Sequence, residues 1–319
     1  MNQKLPWSEN SVPLMLAPMQ GLTNRALRAL FIKWSRPDVV FSEFVRVRPG
    51  SKKSISDSDR LEITGHGGEV PLVIQLIGRD LAALVTAAQT VQDLGVVHLN
   101  INMGCPYGRM TSNSAGGALL KAPAELPGTL KALRQVINGT FSVKLRAGYE
   151  DPQQVLRLLP FFEESGVDYL ILHPRTVQQR FDGLADHGVT RAVVAAASIP
   201  VIANGDIFDA PYGREVLNKT KAAGLMLGRG AISDPFLFER LRGRRPATPT
   251  RQERAMELRT YLQELRNRYQ EIFCGDAQIL CRLKEVVCHI HDPCFATSIR
   301  ALKRARRMVE FEELIGAID

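Results

Sequence analysis

The segment HLNINMGCPYGRM, His98–Met110, ends an alternating apolar run in an amide, Asn102, and sets a lone thiol, Cys105, three residues further on. Gly104 and Pro106 flank that thiol. Read alone, this is a strand followed by a turn. It also has the form of a reactive group held at the end of a rigid element. Polar residues close other apolar runs in the same way. Pro18, Met19 and Gln20 follow LMLA, Glu43 and Arg46 follow VVFS, and Gln75 lies within LVIQL. Lys144 and Arg146 lie in SVKLR, and His173 and Arg175 close YLILH. Asn204, Gly205 and Asp206 end VIAN, while Gly228, Arg229 and Gly230 follow GLML. A lysine inside a short apolar strand calls for an anionic partner, because an isolated buried ammonium is costly. Gln and Asn match the amide edge of a heterocycle, and the loops NGD and GRG offer backbone N–H groups to a phosphate. The ligand implied is polar, ring-shaped and phosphorylated.

Convergence requires a scaffold that brings strand ends together. Eight short runs qualify as strands: 14–17, 39–42, 72–76, 97–102, 142–145, 169–173, 201–204 and 224–227. Between most of them lie segments such as DLAALVTAAQTVQDLG and VLRLLPFFEESG, apolar at helical spacing and stopped by glycine. Eight β/α alternations predict an α/β fold, a (β/α)8 TIM barrel, whose reactive residues stand beyond the carboxyl ends of the strands. A doubly wound open sheet is the competing topology, and no early G-x-G-x-x-G supports it.

The alternation stops near GRRPATPTR, 243–251, a Pro- and Arg-rich junction. QERAMELRTYLQELRNRYQEIF then reads as helix, with further helical segments around 280–290 and 298–315. We expect a catalytic barrel over 1–242 and a small all-helical domain over 250–319. From Arg240 onward the chain carries 16 Lys and Arg against 11 Asp and Glu, so most of the formal net charge of +8 lies there. That balance favours a polyanionic partner. The odd count of five cysteines argues against a disulfide framework. No apolar run approaches the ~20 residues that span a bilayer. The amino-terminal segment is polar, without a signal-peptide core. A cytoplasmic monomer without membrane contact is expected.

In order, APMQG, EFVRV, QLIG, LNINMGCP, GGALL, VKLRAG, HPRT, IANGDI and LGRGA resemble the tRNA-dihydrouridine synthases over roughly 14–235, and more weakly to the end. EFVRV, with Arg46, looks most like the bacterial C-type enzyme. The resemblance implies an FMN-binding barrel and a helical tRNA-binding domain. It implies flavin contacts from Pro18, Met19, Gln20, Gln75, Lys144, His173, Asn204, Gly205, Asp206, Gly228 and Arg229. It also implies NADPH or NADH as electron donor and reduction of the uracil C5=C6 bond. Asn102 would lie between flavin and base, and Cys105 would be the proton donor. A thiol suits that role, being small and protonated at neutral pH when unperturbed. The target uridine must leave its stack to be reached. The D-loop is the expected region, with position 16 (U16) the site the C-type resemblance suggests.

Contacts to tRNA are expected from Arg46, Arg109, Arg175 and Phe181 around the barrel and from Arg282, Lys284 and Arg300 in the basic helices. RLKEVV resembles the C-type helix with its Arg-x-Lys pair, and Phe181 follows HPRT where the family has an aromatic residue. Three positions depart from the family pattern: Asn100 where Asp is usual, Arg109 where a lysine is common, and Pro174 in place of the glycine of HGRT. Two rival readings remain at this level. One is a flavin barrel acting on a free pyrimidine, like a dihydroorotate dehydrogenase. The other is a non-catalytic RNA-binding protein. Cys274, Cys281 and Cys288 recur every seven residues with His289, His291 and Cys294 nearby. That spacing is about 10 Å per step along a helix, too far for one tetrahedral metal. Cysteines buried on a helix face are expected instead, with no metal.

Overall fold

The computed structural model describes residues 5–50, 54–107 and 115–319. Nine strands are formed among them: β1 (Leu14–Leu16), β2 (Val39–Phe41), β3 (Val45–Arg46), β4 (Leu72–Ile77), β5 (His98–Met103), β6 (Thr140–Arg146), β7 (Tyr169–His173), β8 (Val201–Asn204) and β9 (Gly224–Leu227). All pairings are parallel. β2 pairs with β4, and the order then runs through β5 to β9 and back to β1 and β2. This is a closed eight-stranded barrel, as the alternation predicted, with no open edge among the eight. β3 is an addition the sequence reading lacked. It pairs with the carboxyl end of β4, Arg46 opposite Ile77, and puts the Arg46 side chain on the rim.

The helices between strands are α1 (Arg25–Ser35), α2 (Asp57–Thr64), α3 (Leu81–Asp93), α4 (Leu126–Val136), α5 (Gln154–Glu164), α6 (His187–Ala196) and α7 (Ala210–Thr220). Two short helices, α8 (Arg229–Ser233) and α9 (Leu237–Leu241), follow β9. Strand residues alternate in destination, as the period of two requires. Leu99, Ile101 and Met103 of β5 pack outward against the helices. The barrel interior holds Met15, Phe41, Val73, Tyr169, Ile171, Ile202 and Met226. At its floor Trp7 meets Tyr169 edge-on, with ring centroids 4.9 Å apart.

Four helices complete the chain: α10 (Arg251–Gln270), α11 (Asp276–Cys288), α12 (Ala296–Arg304) and α13 (Met308–Gly316). α10 begins with a capping box, Thr250 and Glu253 each bonding the other's backbone N–H. The helix expected over 298–315 is broken at 305–307. There Ala305 turns to extended backbone and its carbonyl accepts from Lys284 Nζ at 2.9 Å, so a tertiary contact overrides local propensity. One apolar cluster runs from Leu27 and Phe31 of α1 through Tyr261, Leu265 and Tyr269 of α10 to Phe311 of α13. The Pro- and Arg-rich junction is pinned. Arg240 is 2% exposed and bonds Asp234 at 2.7 Å, the Pro246 carbonyl at 2.9 Å, and Glu257. Arg245 and Arg254 also reach Glu257.

Candidate functional site

The polar strand ends do converge. They line a cavity of about 620 Å³ at the carboxyl end of the barrel, which takes in Pro18, Met19, Gln20, Gln75, Asn102, Cys105, Lys144, His173, Phe181, Asn204, Gly205, Asp206, Gly228 and Arg229. Its base is a chain of amides. Asn102 Nδ2 donates to Gln75 Oε1 at 2.8 Å, Gln75 Nε2 to Asn100 Oδ1 at 2.8 Å, and Asn100 Nδ2 to Ser142 Oγ at 2.8 Å. Asn100 is fully buried, and a neutral amide there both donates and accepts, which a carboxylate could not do.

Asn102 has a second task. Its Oδ1 accepts from the backbone N–H groups of Gly104 at 3.0 Å and Cys105 at 2.9 Å, fixing the turn that carries the thiol. Burial pushes the Cys105 thiol above its ordinary pKa, and the nearby charges of Arg146, Lys144 and Arg46 only partly oppose this. The thiol is therefore protonated near neutral pH. Gly116, at φ +61, leaves room beside it, since a Cβ there would come within 3.1 Å of Cys105 Cβ.

Lys144 lies beside Asn102 across the β5–β6 ladder. Its Nζ donates to Asn204 Oδ1 at 2.8 Å, and Asn204 Nδ2 donates to the Met226 carbonyl at 2.8 Å. The anionic partner expected from sequence is absent: among the described residues no ion pair forms at this ammonium. Burial and the charge of Arg146 lower its pKa to about 7. Arg146, two residues on and on the same strand face, is among the polar strand residues but not among the flavin contacts that the resemblance implies. It ties the mouth together, donating to the carbonyls of Gly104, Thr176 and Arg180 at 2.8, 2.8 and 2.6 Å. Burial, with the charge of Arg175, lowers its pKa to about 10.

Asp206 is the acid of this group. Burial raises its pKa, but the hydrogen bond from Arg175, the Ala185 N–H and the charges of Arg175 and Arg229 win, and the carboxyl ends below its ordinary value. Arg175 grips both carboxylate oxygens at 2.9 and 2.6 Å, and Arg229 takes Oδ1 at 2.9 Å. Arg175 is 3% exposed, so it braces the loop from beneath rather than facing an RNA surface. Its Nη1 also lies 3.2 Å from His173 Nε2. Burial first, then the surrounding arginines and Lys144, hold His173 well below its usual pKa, so the ring is neutral. With Nε2 accepting from Arg175, the ring proton resides on Nδ1. Gly205, at φ +127, has no space for a side chain, since a Cβ would meet His173 Cδ2 at 2.9 Å.

The remaining predicted residues are spread wider. Arg46 is exposed on the rim and near enough to Cys105 to act on its pKa. Arg109 lies outside the described residues. Arg282 pairs with Glu285 at 2.8 Å, Lys284 is half-buried on the Ala305 carbonyl, and Arg300 is exposed on α12. The expectation of buried helix cysteines is corrected: Cys274, Cys281, Cys288 and Cys294 are exposed. Cys288, His289 and His291 instead stand at the cavity, together with Phe44, Tyr107 and Phe208. Cys288, His289 and His291 come to the cavity through tertiary packing, which their spacing in the tail does not record.

The chain matches the family model described as "Dihydrouridine synthase (Dus)" over residues 15–308. It is 34% identical over 227 residues to the probable tRNA-dihydrouridine synthase of Rhodobacter capsulatus, covering 70% of this chain and 69% of that one. The tRNA-dihydrouridine synthase B of Vibrio cholerae is 35% identical over 229 residues, covering 72% and 70%. That of Pseudomonas aeruginosa is 34% identical over 232 residues, covering 72% and 68%. The relatives named here carry the B-type description or no type, so the C-type likeness rests on the motifs alone. Histamine dehydrogenase from Rhizobium sp. 4-9 shares the fold at a TM-score of 0.59 and 12% identity, over 80% of this chain and 49% of that one. A match spanning nearly the whole chain, with relatives above 30% identity, is decisive: the chain belongs to the dihydrouridine synthase family.

Proposed function

We propose that the protein reduces the C5=C6 bond of a uridine in tRNA to dihydrouridine, with FMN as prosthetic group. The observation that carries this reading is the Cys105 thiol, carried on a turn that Asn102 caps, at a cavity of cofactor size lined by both polar and apolar groups. The residues present fit an anionic flavin. Lys144 and Arg146 bring positive charge to the cavity, and among the described residues no carboxylate pairs with the ammonium. The amides of Gln75, Asn102 and Asn204 match a heterocycle edge. The loops at Gly205 and Gly228 can receive a phosphate as the last two loops of such barrels do. When bound, FMN supplies hydride transfer, with NADPH or NADH as the electron source.

The protein's own part is positional and acid–base. Hydride addition at uracil C6 leaves electron density at C5. The Cys105 S–H gives its proton to C5, and the resulting thiolate recovers a proton from solvent, so one hydride and one proton account for the product. Asn102 orients the thiol and faces the ring, and Lys144 stabilises negative charge in the cavity. Arg46, Arg282, Lys284 and Arg300 are assigned to RNA phosphates, with the barrel over 1–242 and the helices over 250–319 as the two functional units. A D-loop uridine is the proposed target.

The test uses the purified protein, reduced anaerobically with NADPH and given tRNA lacking dihydrouridine. Flavin reoxidation, with a D-loop uridine gaining two hydrogens by mass mapping, is expected. Cys105→Ala should slow that step by roughly 10²-fold or more. Reoxidation by free uracil derivatives but not by tRNA would instead point to a small pyrimidine as substrate. Protein that takes up no flavin would defeat the enzymatic reading.

A further inference from the structure

One wall of the cavity mouth is a continuous series of aromatic and cationic groups. The Tyr107 and Phe181 rings lie 6.1 Å apart, with 37° between their planes. The Arg229 guanidinium stands over the Phe181 ring at 4.6 Å and over the Phe208 ring at 5.4 Å. Phe208 in turn meets His291 edge-on at 6.5 Å. The series starts in the loop that carries the thiol and ends in the segment between α11 and α12. It therefore crosses the seam between the barrel and the helical tail at the point where the two share a cavity. All these residues line that cavity.

Packing alone does not account for the outer members. Tyr107, Phe181 and Phe208 are 57%, 39% and 38% exposed, although each lines the cavity. The neighbouring loop residue Ile207 shows the alternative, since it is buried in the core at 4%. Phe208 lies two residues beyond Asp206, which Arg175 and Arg229 anchor, with Ile207 between them. Exposed rings beside a guanidinium form a platform for flat π systems.

We infer that Phe208 and His291 form a stacking station for the unpaired nucleobase adjoining the target uridine in the RNA. The inference rests on the proposed tRNA activity. A target base drawn into the cavity loses its stacking partner on one side, and its neighbour is left with an uncovered face at the mouth. Phe208 is the exposed ring beyond Arg229, on the side toward the helical tail, where the phosphates are expected to be held. Arg229, between Phe181 and Phe208, offers its plane to both positions. The station is indifferent to the identity of the base, because every base presents a π face.

The test is a tRNA carrying 2-aminopurine on either side of the target uridine. On binding to the flavin-loaded wild-type protein, its fluorescence should be quenched at one of the two positions. Phe208→Ala should restore the fluorescence and raise the KM for tRNA about tenfold, and Phe208→Trp should return both toward wild type. His291→Ala should act in the same direction and more weakly. Equal quenching in wild type and Phe208→Ala would overturn the inference. So would a change confined to the KM for NADPH, which would assign the platform to the electron donor. Failure of wild-type protein to modify tRNA at all would strike the activity rather than the station.

Discussion

Among the described residues Lys144 has no carboxylate partner, and that has a measurable consequence. Its pKa of about 7 means that the free protein loses this proton as the pH rises through neutrality. An anionic ligand favours the ammonium and must draw a proton back above that point. Affinity for FMN should thus fall by up to about tenfold per pH unit between about pH 7 and 9, and should be flatter below. Lys144→Met should weaken binding at about pH 6 and abolish the slope. Flavin fluorescence titrations across this range check both, and a pH-independent wild-type affinity would refute the role. At this scale the sequence was informative where chemistry repeats along a strand. Gln75, Asn102, Lys144, His173 and Asn204 were all legible as strand-end polar groups. Arg146 was visible two residues from Lys144 but has its effect through three carbonyls distant in sequence, which no local pattern records.

At the level of elements, the turn after β5 shows how a strand aims a side chain. Asn102 bonds Gln75 on one side and two consecutive N–H groups on the other, so one residue joins the base of the cavity to the thiol loop. Asn102→Ala removes all three bonds and leaves a buried amide on Gln75 half-satisfied. We expect a loss of about 1–3 kcal/mol in stability, read as a lower thermal midpoint. Faster alkylation of Cys105 should accompany it as the turn loosens. An unchanged midpoint and unchanged alkylation would show that the turn holds without its cap. Periodicity located the eight barrel strands to within two residues, because each is a buried parallel strand with a short apolar run. β3 was missed for the opposite reason: two residues cannot display a period. The break between α12 and α13 was missed because no Gly or Pro marks it, only the capture of the Ala305 carbonyl by Lys284.

Across the whole molecule, barrel and tail are joined by one apolar cluster and by arginines converging on Glu257. Glu257 is 5% exposed, and burial raises its pKa despite the charge of Arg240. Glu257→Ala would leave Arg240 buried with less than its full complement. A destabilisation of about 3–5 kcal/mol is expected, with Glu257→Gln losing less. Chemical denaturation measures it, and a midpoint within error of wild type would show that Asp234 alone satisfies Arg240. The Trp7–Tyr169 contact beneath the barrel matters at this scale too. Among the described residues Trp7 covers the barrel from beneath, and the cavity opens at the carboxyl ends of the strands. On the proposed function, the donor of electrons and the RNA that receives them would share that doorway and take turns at it.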